Sequence, residues 1–476
     1  MNPRSGKMHK VFQSCYALDQ RCYTAYGLTE DILMEHAATG MAAYIQAHFE
    51  AGSTILIVSG TGNNGADGIV LARQLYGAYA VKLYLPFGVK SVMAKKQLAR
   101  AEAVGVPMVD TPEDATIVVD AIFGAGLNRN LNEETCAVIA RLNCFKGFKI
   151  ACDIPTGVGE EGSLMPVAFR ADVTLTMGAY TEAHYLDESK AYIGELLSID
   201  LGVSREQYEV PCHTYVLEAG DLTLPSRTGL DSHKGTFGHA AVFCGEKEGA
   251  GIIAGMAANR FGAGLTTLVV HDKVSPPAWL MHATDLPQNS TAIAIGMGLG
   301  AHFEREFLQK NVVESHVPIV LDADAFYHSD LLAILEQKER DIVVTPHPKE
   351  FTLLWKKLTG EKLSVAEVQR KRFEMVRKFN ALYPHVTLLL KGATMLIIQE
   401  ERLYINPLGS PKLSKGGSGD VLSGLIVSLL AQGCSGIESA LQASLAFTCA
   451  AEKYRGASYA MLPTDIIEAL ALLERA

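Results

Sequence analysis

The chain has 476 residues, of which 48% are hydrophobic and 20% charged, and its formal net charge at pH 7 is −10. This composition is typical of a globular protein of more than one domain, and it excludes a largely disordered chain. The negative charge argues against a general nucleic-acid binder, and the longest apolar stretch, residues 421–431, is too short to cross a membrane. The cysteines form no Cys-x-x-Cys pair, which indicates reduced thiols and a cytoplasmic protein.

The first half of the chain alternates strands and helices in the pattern of a parallel α/β sheet. An amphipathic helix is predicted over residues 32–49 and a strand buried on both faces over residues 54–59. A glycine-rich loop follows at residues 60–68, and a helix pattern resumes at residues 69–76. Further strands are predicted at residues 81–85, 116–121, 148–152 and 172–177.

The loop at residues 60–68, Gly-Thr-Gly-Asn-Asn-Gly-Ala-Asp-Gly, is the first candidate site. Its glycines let backbone N–H groups approach a ligand, and the start of the following helix favours an anion. A plain strand-to-helix turn is the alternative, but such a turn does not need three polar side chains. Asp120 and Asp153 lie at the ends of two further predicted strands. A single such Asp is often a cap or turn former, but ligands bind at the carboxyl ends of parallel strands, so we expect the three loops to form one crevice.

The regular pattern lapses over residues 217–232, and residues 224–229 read as a linker. Two α/β domains are therefore predicted, divided near residue 220. Beyond the linker, strands are predicted at residues 239–244, 265–270, 291–295, 318–321, 342–345 and 386–390, and helices at residues 420–431, 436–454 and 464–473.

The segment at residues 415–424, Lys-Gly-Gly-Ser-Gly-Asp-Val-Leu-Ser-Gly, is the second candidate site. Backbone N–H groups at the start of a helix can hold a phosphoryl group that is being transferred. Asp420 in this position can accept a proton from an attacking hydroxyl. The alternative is a flexible linker with Asp420 as a helix cap, and the long apolar helix that follows directly disfavours it.

Other strand ends of the second half add polar groups. The turn Lys391–Met395 could cradle a nucleotide, or it is an ordinary hairpin, because residues 395–399 read as a return strand. Asp322 and Asp324 offer two carboxylates for a water-mediated Mg²⁺ role. His347 lies between two prolines at a strand end, which favours a substrate contact over the commoner structural role.

The motifs of the first half resemble the NAD(P)H-hydrate epimerase domain over about residues 10–215. The resemblance implies a Rossmann-like three-layer fold that binds hydrated NAD(P)H and a potassium ion. It implies that Asn64, Asp120 and Thr156 ligate the potassium and that Asp153 is the catalytic acid/base. The hydrate contacts that it implies are Asn63, Asn64, Gly65, Ala66, Asp67, Gly124, Ala125, Gly126, Leu127 and Asp153.

Three positions depart from that family's pattern. Ala66 replaces a usual Gly, and Thr156 replaces a usual Ser but keeps the hydroxyl. Relatives carry a Lys shortly after the strand that ends at Met177, whereas this chain has Thr181 in that segment. An alternative interpretation of the first half is therefore a non-catalytic binding or dimerisation module.

The motifs of the second half resemble the ribokinase-like ADP/ATP-dependent NAD(P)H-hydrate dehydratase over about residues 222–476. Six of that family's motifs occur in order, namely Ser-His-Lys-Gly, Gly-Met-Gly-Leu-Gly, Leu-Asp-Ala-Asp-Ala, Thr-Pro-His-Pro-Lys-Glu, Lys-Gly-Ala-Thr and Gly-Gly-Ser-Gly-Asp. The resemblance implies hydrate contacts at Gly298, His347 and the catalytic Asp420. The nucleotide contacts that it implies are Lys391, Gly392, Ala393, Thr394, Met395 and Gly419.

Together the two resemblances predict a bifunctional NAD(P)H-hydrate repair enzyme, with an epimerase domain at residues 1–220 and a dehydratase domain at residues 221–476. The dehydratase would use ADP or ATP with Mg²⁺ to phosphorylate the S hydrate and then eliminate phosphate. The epimerase, with K⁺, would interconvert the R and S hydrates. A homo-oligomer without nucleic-acid or membrane partners is expected. The alternative is a ribokinase-like small-molecule kinase with a non-catalytic N-terminal module.

Overall fold

The computed structural model describes residues 8–159, 162–271, 274–300 and 303–474. The chain divides into two compact units, one spanning His9–Cys212 and the other containing the described residues from His213 onward. The predicted lapse in regular structure is confirmed, because only a short 3₁₀ helix, Ala219–Asp221, forms within residues 217–232. The predicted division at residue 220 lies in this stretch, and the assignment of one activity to each side of it stays a prediction.

The first unit contains short and long elements in alternation. Its described strands are β1 (His9–Phe12), β2 (Thr54–Ser59), β3 (Ala80–Tyr84), β4 (Met108–Val109), β5 (Ile117–Ala121), β6 (Phe148–Cys152), β7 (Val173–Met177), β8 (Tyr180–Thr181) and β9 (Glu195–Ile199). Its described helices are α1 (Tyr16–Ala25), α2 (Glu30–His48), α3 (Asn63–Leu75), α4 (Val92–Val104), α5 (Glu133–Asn143), α6 (Lys190–Ile193) and α7 (Arg205–Tyr208).

A parallel sheet with the strand order β4-β3-β2-β5-β6-β7-β9 forms the middle layer of this unit. Alternate side chains of β2 pack on opposite faces, Ile55 and Ile57 toward α2, α3 and α4, and Leu56 and Val58 toward α5. The direction of strand addition reverses between β2 and β5. In such sheets the crevice beyond the carboxyl ends of these two strands is the expected ligand site.

The predicted start of the helix after β2 is wrong. We expected a loop until residue 68, but α3 begins at Asn63, directly after the turn Gly60–Gly62. Gly65 allows this early start, because a Cβ at this position would lie less than 3.0 Å from the backbone of Gly60. The polar residues and glycines in the first turns of α3 gave no apolar periodicity, so the sequence pattern resembled a loop.

The second unit continues the alternation. Its described strands are β10 (Thr214–Val216), β11 (His239–Cys244), β12 (Leu265–Val270), β13 (Met281–Ala283), β14 (Ala292–Ile295), β15 (Ile319–Leu321), β16 (Ile342–Val344), β17 (Thr387–Leu390), β18 (Met395–Gln399) and β19 (Arg402–Asn406). Its described helices are α8 (Glu248–Arg260), α9 (Arg305–Leu308), α10 (Leu331–Leu335), α11 (Pro348–Thr359), α12 (Val365–Arg370), α13 (Arg372–Leu382), α14 (Ser418–Ala431), α15 (Gly436–Lys453) and α16 (Pro463–Ala469).

The sheet of the second unit has the strand order β13-β12-β11-β14-β15-β16-β17-β18-β19-β10, parallel as far as β17. Its strand order reverses between β11 and β14. Helix α14 is buried from Val421 to Ala431 and packs with α8, α15 and α16 in one apolar core. The predicted α/β class is confirmed in both units. In the described parts of the chain, none of the helices combines the length and the apolar character that a membrane crossing requires.

Candidate functional site

Asp120 and Thr156 form a buried pair at the end of β5. The Asp120 carboxylate accepts hydrogen bonds from the Thr156 N–H (2.7 Å), the Thr156 hydroxyl (2.7 Å) and the Ile122 N–H (3.2 Å). The Thr156 Oγ1 also accepts from the N–H of Phe123 (2.9 Å). Burial raises the pKa of Asp120 to about 6, although the bonds from Thr156 act in the opposite direction.

Gly124 lies between two of the predicted site residues. A Cβ on Gly124 would be 2.8 Å from Asp153 Oδ2 and 3.2 Å from Asn64 Oδ1, so both polar groups lie against this turn. The N–H of Ala125 donates to Asp153 Oδ2 over 2.9 Å. The structure therefore brings the start of α3, the loop after β5 and Asp153 together at the point where the strand order reverses, as expected from the strand ends.

Asp153 has a left-handed backbone (φ 69°), which is rare for a residue with a side chain, and His184 lies behind it. The Nδ1 of His184 accepts from the Thr181 N–H (3.1 Å), so Nε2 bears the proton and donates to the Asp153 carbonyl (3.0 Å). Burial lowers the pKa of His184, which keeps the ring neutral. His184 was not predicted, because the family resemblance implied a Lys in this segment.

Several acidic groups surround Asp153. Burial and the charges of Asp153, Asp19 and Glu30 raise the pKa of Asp67 well above its usual value. Asp19 on α1 accepts a hydrogen bond from the Tyr208 hydroxyl (2.7 Å), and burial raises its pKa to about 6. Burial therefore favours the protonated forms of Asp67 and Asp19 beside Asp153. Neither α1 nor Asp19 was predicted.

The other residues of the first unit that are predicted to contact the hydrate differ in their exposure and in their packing. The amide of Asn63 donates to Glu30 on the surface. Gly65 is buried against Gly60, and the side chain of Ala66 packs into the apolar core beside Met34. Gly126 has open space above its Cα, and Leu127 is buried. Contacts of these residues with a hydrate stay predictions.

Asp322 is the centre of the polar cluster in the second unit. Its Oδ1 pairs with the Lys391 ammonium (2.6 Å) and its Oδ2 accepts from the Ser423 hydroxyl (2.7 Å). A Cβ on Gly419 would lie 3.4 Å from the Lys391 ammonium. The ends of β15 and β17 and the first turn of α14 therefore meet at this ion pair. Asp322 is therefore the ion-pair partner of Lys391 at this strand end.

Asp420 lies in the first turn of α14, after a left-handed Gly417 (φ 91°). Burial raises the pKa of Asp420 to about 7, the negative charges of Asp322 and Glu350 add to the increase, and Lys391 opposes it. A carboxyl group with this pKa is divided between its two protonation states near neutral pH. It is therefore suited to take a proton from a hydroxyl and to give it back.

His347 caps α11. Its Nδ1 accepts from the N–H groups of Lys349 (3.1 Å) and Glu350 (3.2 Å), and its Nε2 lies 3.2 Å from Glu350 Oε1. Burial lowers the pKa of His347, so the imidazole is neutral at neutral pH. These contacts support the structural interpretation of His347. Its side chain is nevertheless 48% exposed, and a contact with the hydrate stays a prediction.

The remaining predicted residues lie at neighbouring strand ends. Gly298 follows β14, and its carbonyl accepts from the N–H of Lys247 (3.0 Å), which places it where the strand order reverses. The turn Lys391–Met395 joins the antiparallel strands β17 and β18, so it is a hairpin, and the Met395 side chain belongs to the apolar core. Within the described ranges, no cluster of three His, Cys, Asp or Glu residues could hold a metal ion.

Comparison with known proteins gives matches in both halves. A family model described as "YjeF-related protein N-terminus" matches residues 30–183, and one described as "NAD(P)H-hydrate dehydratase" matches residues 240–472. The order and the extent of these matches, together with the two sheets, confirm the predicted fold class, a Rossmann-like three-layer unit followed by a ribokinase-like α/β unit.

Relatives match along nearly the whole chain. The "Bifunctional NAD(P)H-hydrate repair enzyme Nnr" of Helicobacter pylori is 38% identical and covers 97% of this chain and 99% of its own length. That of Coxiella burnetii is 34% identical over 95% of this chain and 97% of its own length. Among solved structures, the ADP/ATP-dependent NAD(P)H-hydrate dehydratase of Bacillus subtilis is 28% identical, covers 52% of this chain and 93% of its own, and has a TM-score of 0.44.

Proposed function

We propose that this chain, which belongs to the family of bifunctional NAD(P)H-hydrate repair enzymes, carries out one of its two reactions in each of its two units. As a member of that family, it is an isomerase and a lyase that restores NADH and NADPH from their hydrates. The unit His9–Cys212 is the proposed epimerase, and the unit from His213 onward is the proposed dehydratase. The pKa of Asp420 near neutrality, beside the Asp322–Lys391 pair, is the observation that supports the second assignment most strongly.

In the dehydratase, Asp420 accepts the proton of the hydrate's ring hydroxyl while that oxygen attacks the terminal phosphoryl group of the nucleotide. Lys391 and the N–H groups at the start of α14 stabilise the charge on the phosphoryl oxygens. Loss of phosphate, with a proton from the neighbouring ring carbon, then restores the dihydronicotinamide. The products are NAD(P)H, inorganic phosphate and AMP when ADP is the donor. Gly419 leaves room beside Lys391 for the phosphates.

Magnesium fits the two carboxylates at the end of β15, which keep acceptor sites beside their present hydrogen bonds. Both oxygens of Asp322 are already bonded, one to Lys391 and one to Ser423, and Asp324 Oδ2 accepts from the Gly300 N–H (3.0 Å). Asp322 and Asp324 would hold Mg²⁺ through water, and when bound the ion would neutralise charge on the nucleotide phosphates.

In the epimerase, Asp153 takes the hydroxyl proton at the hydrated carbon as the ring C–N bond breaks. It returns this proton when the bond re-forms on the opposite face. Burial favours the protonated form of Asp67, and this carboxyl group would supply a proton to the ring nitrogen as the ring opens and take it back as the ring closes. His184 holds the backbone of Asp153 through its carbonyl, which keeps the carboxylate beside Gly124.

Potassium fits the set of oxygen donors at the end of β5. Asn64 Oδ1, the Asp120 carboxylate and Thr156 Oγ1 offer one negative charge and two neutral oxygens, which suits a hard monovalent cation. The cation would offset the charge of the buried Asp120, whose pKa is raised by burial. When bound, it would supply a positive charge for the phosphates of the hydrate.

We further propose that ADP is the preferred donor, that the protein is a homo-oligomer, and that it acts in the cytoplasm, where its charged nucleotide substrates would be kept.

The products of one reaction test the dehydratase assignment. The protein is incubated with the S hydrate of NADH, ADP and Mg²⁺, and the dihydronicotinamide, AMP and inorganic phosphate are quantified. We expect all three to form in equal amounts and Asp420→Asn to abolish all three. A stable phosphorylated product without recovery of the dihydronicotinamide would instead establish the small-molecule kinase alternative.

A further inference from the structure

Arg372, the first residue of α13, is a buried arginine beneath the turn that joins β17 to β18. Only 1% of Arg372 is exposed to solvent. Its Nη2 donates to three backbone carbonyls of this turn, those of Thr394 (2.7 Å), Lys391 (3.0 Å) and Leu390 (3.3 Å). One guanidinium group thus holds both ends of the turn.

The turn is also shaped to fit the guanidinium. A Cβ on Gly392 would lie less than 3.0 Å from Nη1, Nη2 and Cζ of Arg372, so Gly392 rests directly on this group. Beside it, the Lys391 N–H donates to the Pro346 carbonyl (2.9 Å), and the Lys391 ammonium pairs with Asp322. The position of Lys391 is therefore determined from below by Arg372 and from the side by two neighbouring strand ends.

The planarity of the peptide bond gives this arrangement a direction. In a trans peptide the N–H points away from the C=O, and the described residues contain no cis peptide. Because the Lys391 carbonyl is directed at Arg372, the Gly392 N–H points to the opposite side of the turn. The guanidinium adds a fixed positive charge below the dipole of this peptide, which favours an anion above the turn.

We propose that Arg372 is a positioning residue for nucleotide binding: it sets the turn Lys391–Met395 in the form that receives the phosphates of ADP. It acts through the backbone and through Lys391, not by touching the nucleotide. A contribution to stability alone does not explain why an arginine is buried here, since apolar side chains stabilise a core at least as well as buried ions do. This inference deepens the proposed dehydratase function and rests on it.

Arg372→Lys and Arg372→Met test the proposal. Lysine keeps the charge but lacks the planar guanidinium on which Gly392 rests, and methionine loses both the charge and the hydrogen bonds. We expect the KM for ADP to rise roughly tenfold or more in the Met variant and by less in the Lys variant, as charge-assisted bonds are lost. The KM for the hydrate should stay near that of the wild type.

Arg340 offers a matched control in the same unit. It is also buried (4% exposed) and also donates to backbone carbonyls, those of Val312 (2.9 Å) and Val317, but it does not contact the turn at residues 390–394 in the described structure. Arg340→Lys and Arg340→Met should therefore lower the melting temperature as the Arg372 variants do, while the KM for ADP remains that of the wild type.

The outcomes separate this inference from the function on which it rests. If the wild type neither binds ADP in calorimetry nor restores the dihydronicotinamide with it, both fail. If the wild type uses ADP but the Arg372 variants lose only thermal stability, as the Arg340 variants do, the inference alone is overturned. Should Arg372→Met not fold, the milder Arg372→Lys decides by the same comparison of KM values.

Discussion

The substitution Asp420→Asn should make the second unit more stable and inactive, and the gain in stability should depend on pH. The fold holds the pKa of Asp420 at about 7, compared with an ordinary value of 3.8. Because the folded state binds this proton more tightly than the unfolded state does, ionisation of Asp420 destabilises the folded protein. The neutral amide of asparagine has nearly the same shape and does not incur this cost.

The size of the effect follows from the shift. The pKa difference between 3.8 and about 7 is roughly three units, and each unit corresponds to about 1.4 kcal/mol. The stability of the variant relative to the wild type should be unchanged below pH 3.8, increase by about 1.4 kcal/mol per pH unit up to about pH 7, and then level off near 4 kcal/mol. This is an upper value, since solvent reaches part of the side chain.

Tryptophan fluorescence during urea unfolding measures this effect selectively, because both tryptophans of the chain, Trp279 and Trp355, belong to the unit that contains Asp420. Turnover of the S hydrate by the variant should fall roughly a hundredfold or more, as expected for the loss of a general base. If the variant and the wild type differ in unfolding free energy by the same amount at mildly acidic and at alkaline pH, the pKa of about 7 for Asp420 is refuted. Retained turnover would refute the role of Asp420 as the base.

Three further predictions concern Lys391, Asp153 and Thr156. Lys391→Met removes the charge that lowers the pKa of Asp420, so the acid limb of kcat/KM for dehydration should move to higher pH; an unchanged limb would contradict this electrostatic role. Asp153→Asn should abolish the interconversion of purified R and S hydrates, which is measured by chromatography. Dehydration of the S hydrate by this variant should continue at the wild-type rate. Thr156→Val removes the hydroxyl that donates to Asp120, so half-maximal epimerisation should require roughly tenfold more K⁺. The same change should raise the pKa of Asp120 above about 6, and an unaltered K⁺ dependence would exclude Thr156 from the cation site.

Continuous apolar runs between glycine-rich turns are what made the strands predictable. The predicted bounds of β2, β6, β11 and β12 agree with the structure, because strands buried on both faces need such runs. The edge strand β9 was missed, since its side chains are only partly buried and its sequence has no such run. The start of α3 was missed for a related reason, because polar side chains and glycines fill its first turns.

The two candidate sites were predictable to the extent that they lie at carboxyl ends of parallel strands. Asp120, Asp153 and Lys391 could be selected because chain order and sheet topology bring such ends together, and Asp420 because a glycine-rich segment leads into its helix. Pairs formed across long sequence separations were not predictable. Asp322 and Lys391 are 69 residues apart, and no local pattern predicts their ion pair.

The positioning residues have no local signature for the same reason. His184 contacts the carbonyl of Asp153, and Arg372 contacts three carbonyls of a turn, so both act on backbone groups that any residue provides. A carbonyl leaves no trace in the side-chain pattern. Only the folded arrangement shows that these two buried side chains hold the chain at the candidate sites.

The most direct test of the central claim, that one chain performs both repair reactions, is the recovery of NADH from a mixture of its R and S hydrates. The purified protein is incubated with this mixture, ADP, Mg²⁺ and K⁺, and the dihydronicotinamide absorbance is followed to completion. We expect all of the hydrate to be converted to NADH. Recovery that stops when the S hydrate is consumed would contradict the epimerase assignment, and no recovery with either ADP or ATP would contradict the account as a whole.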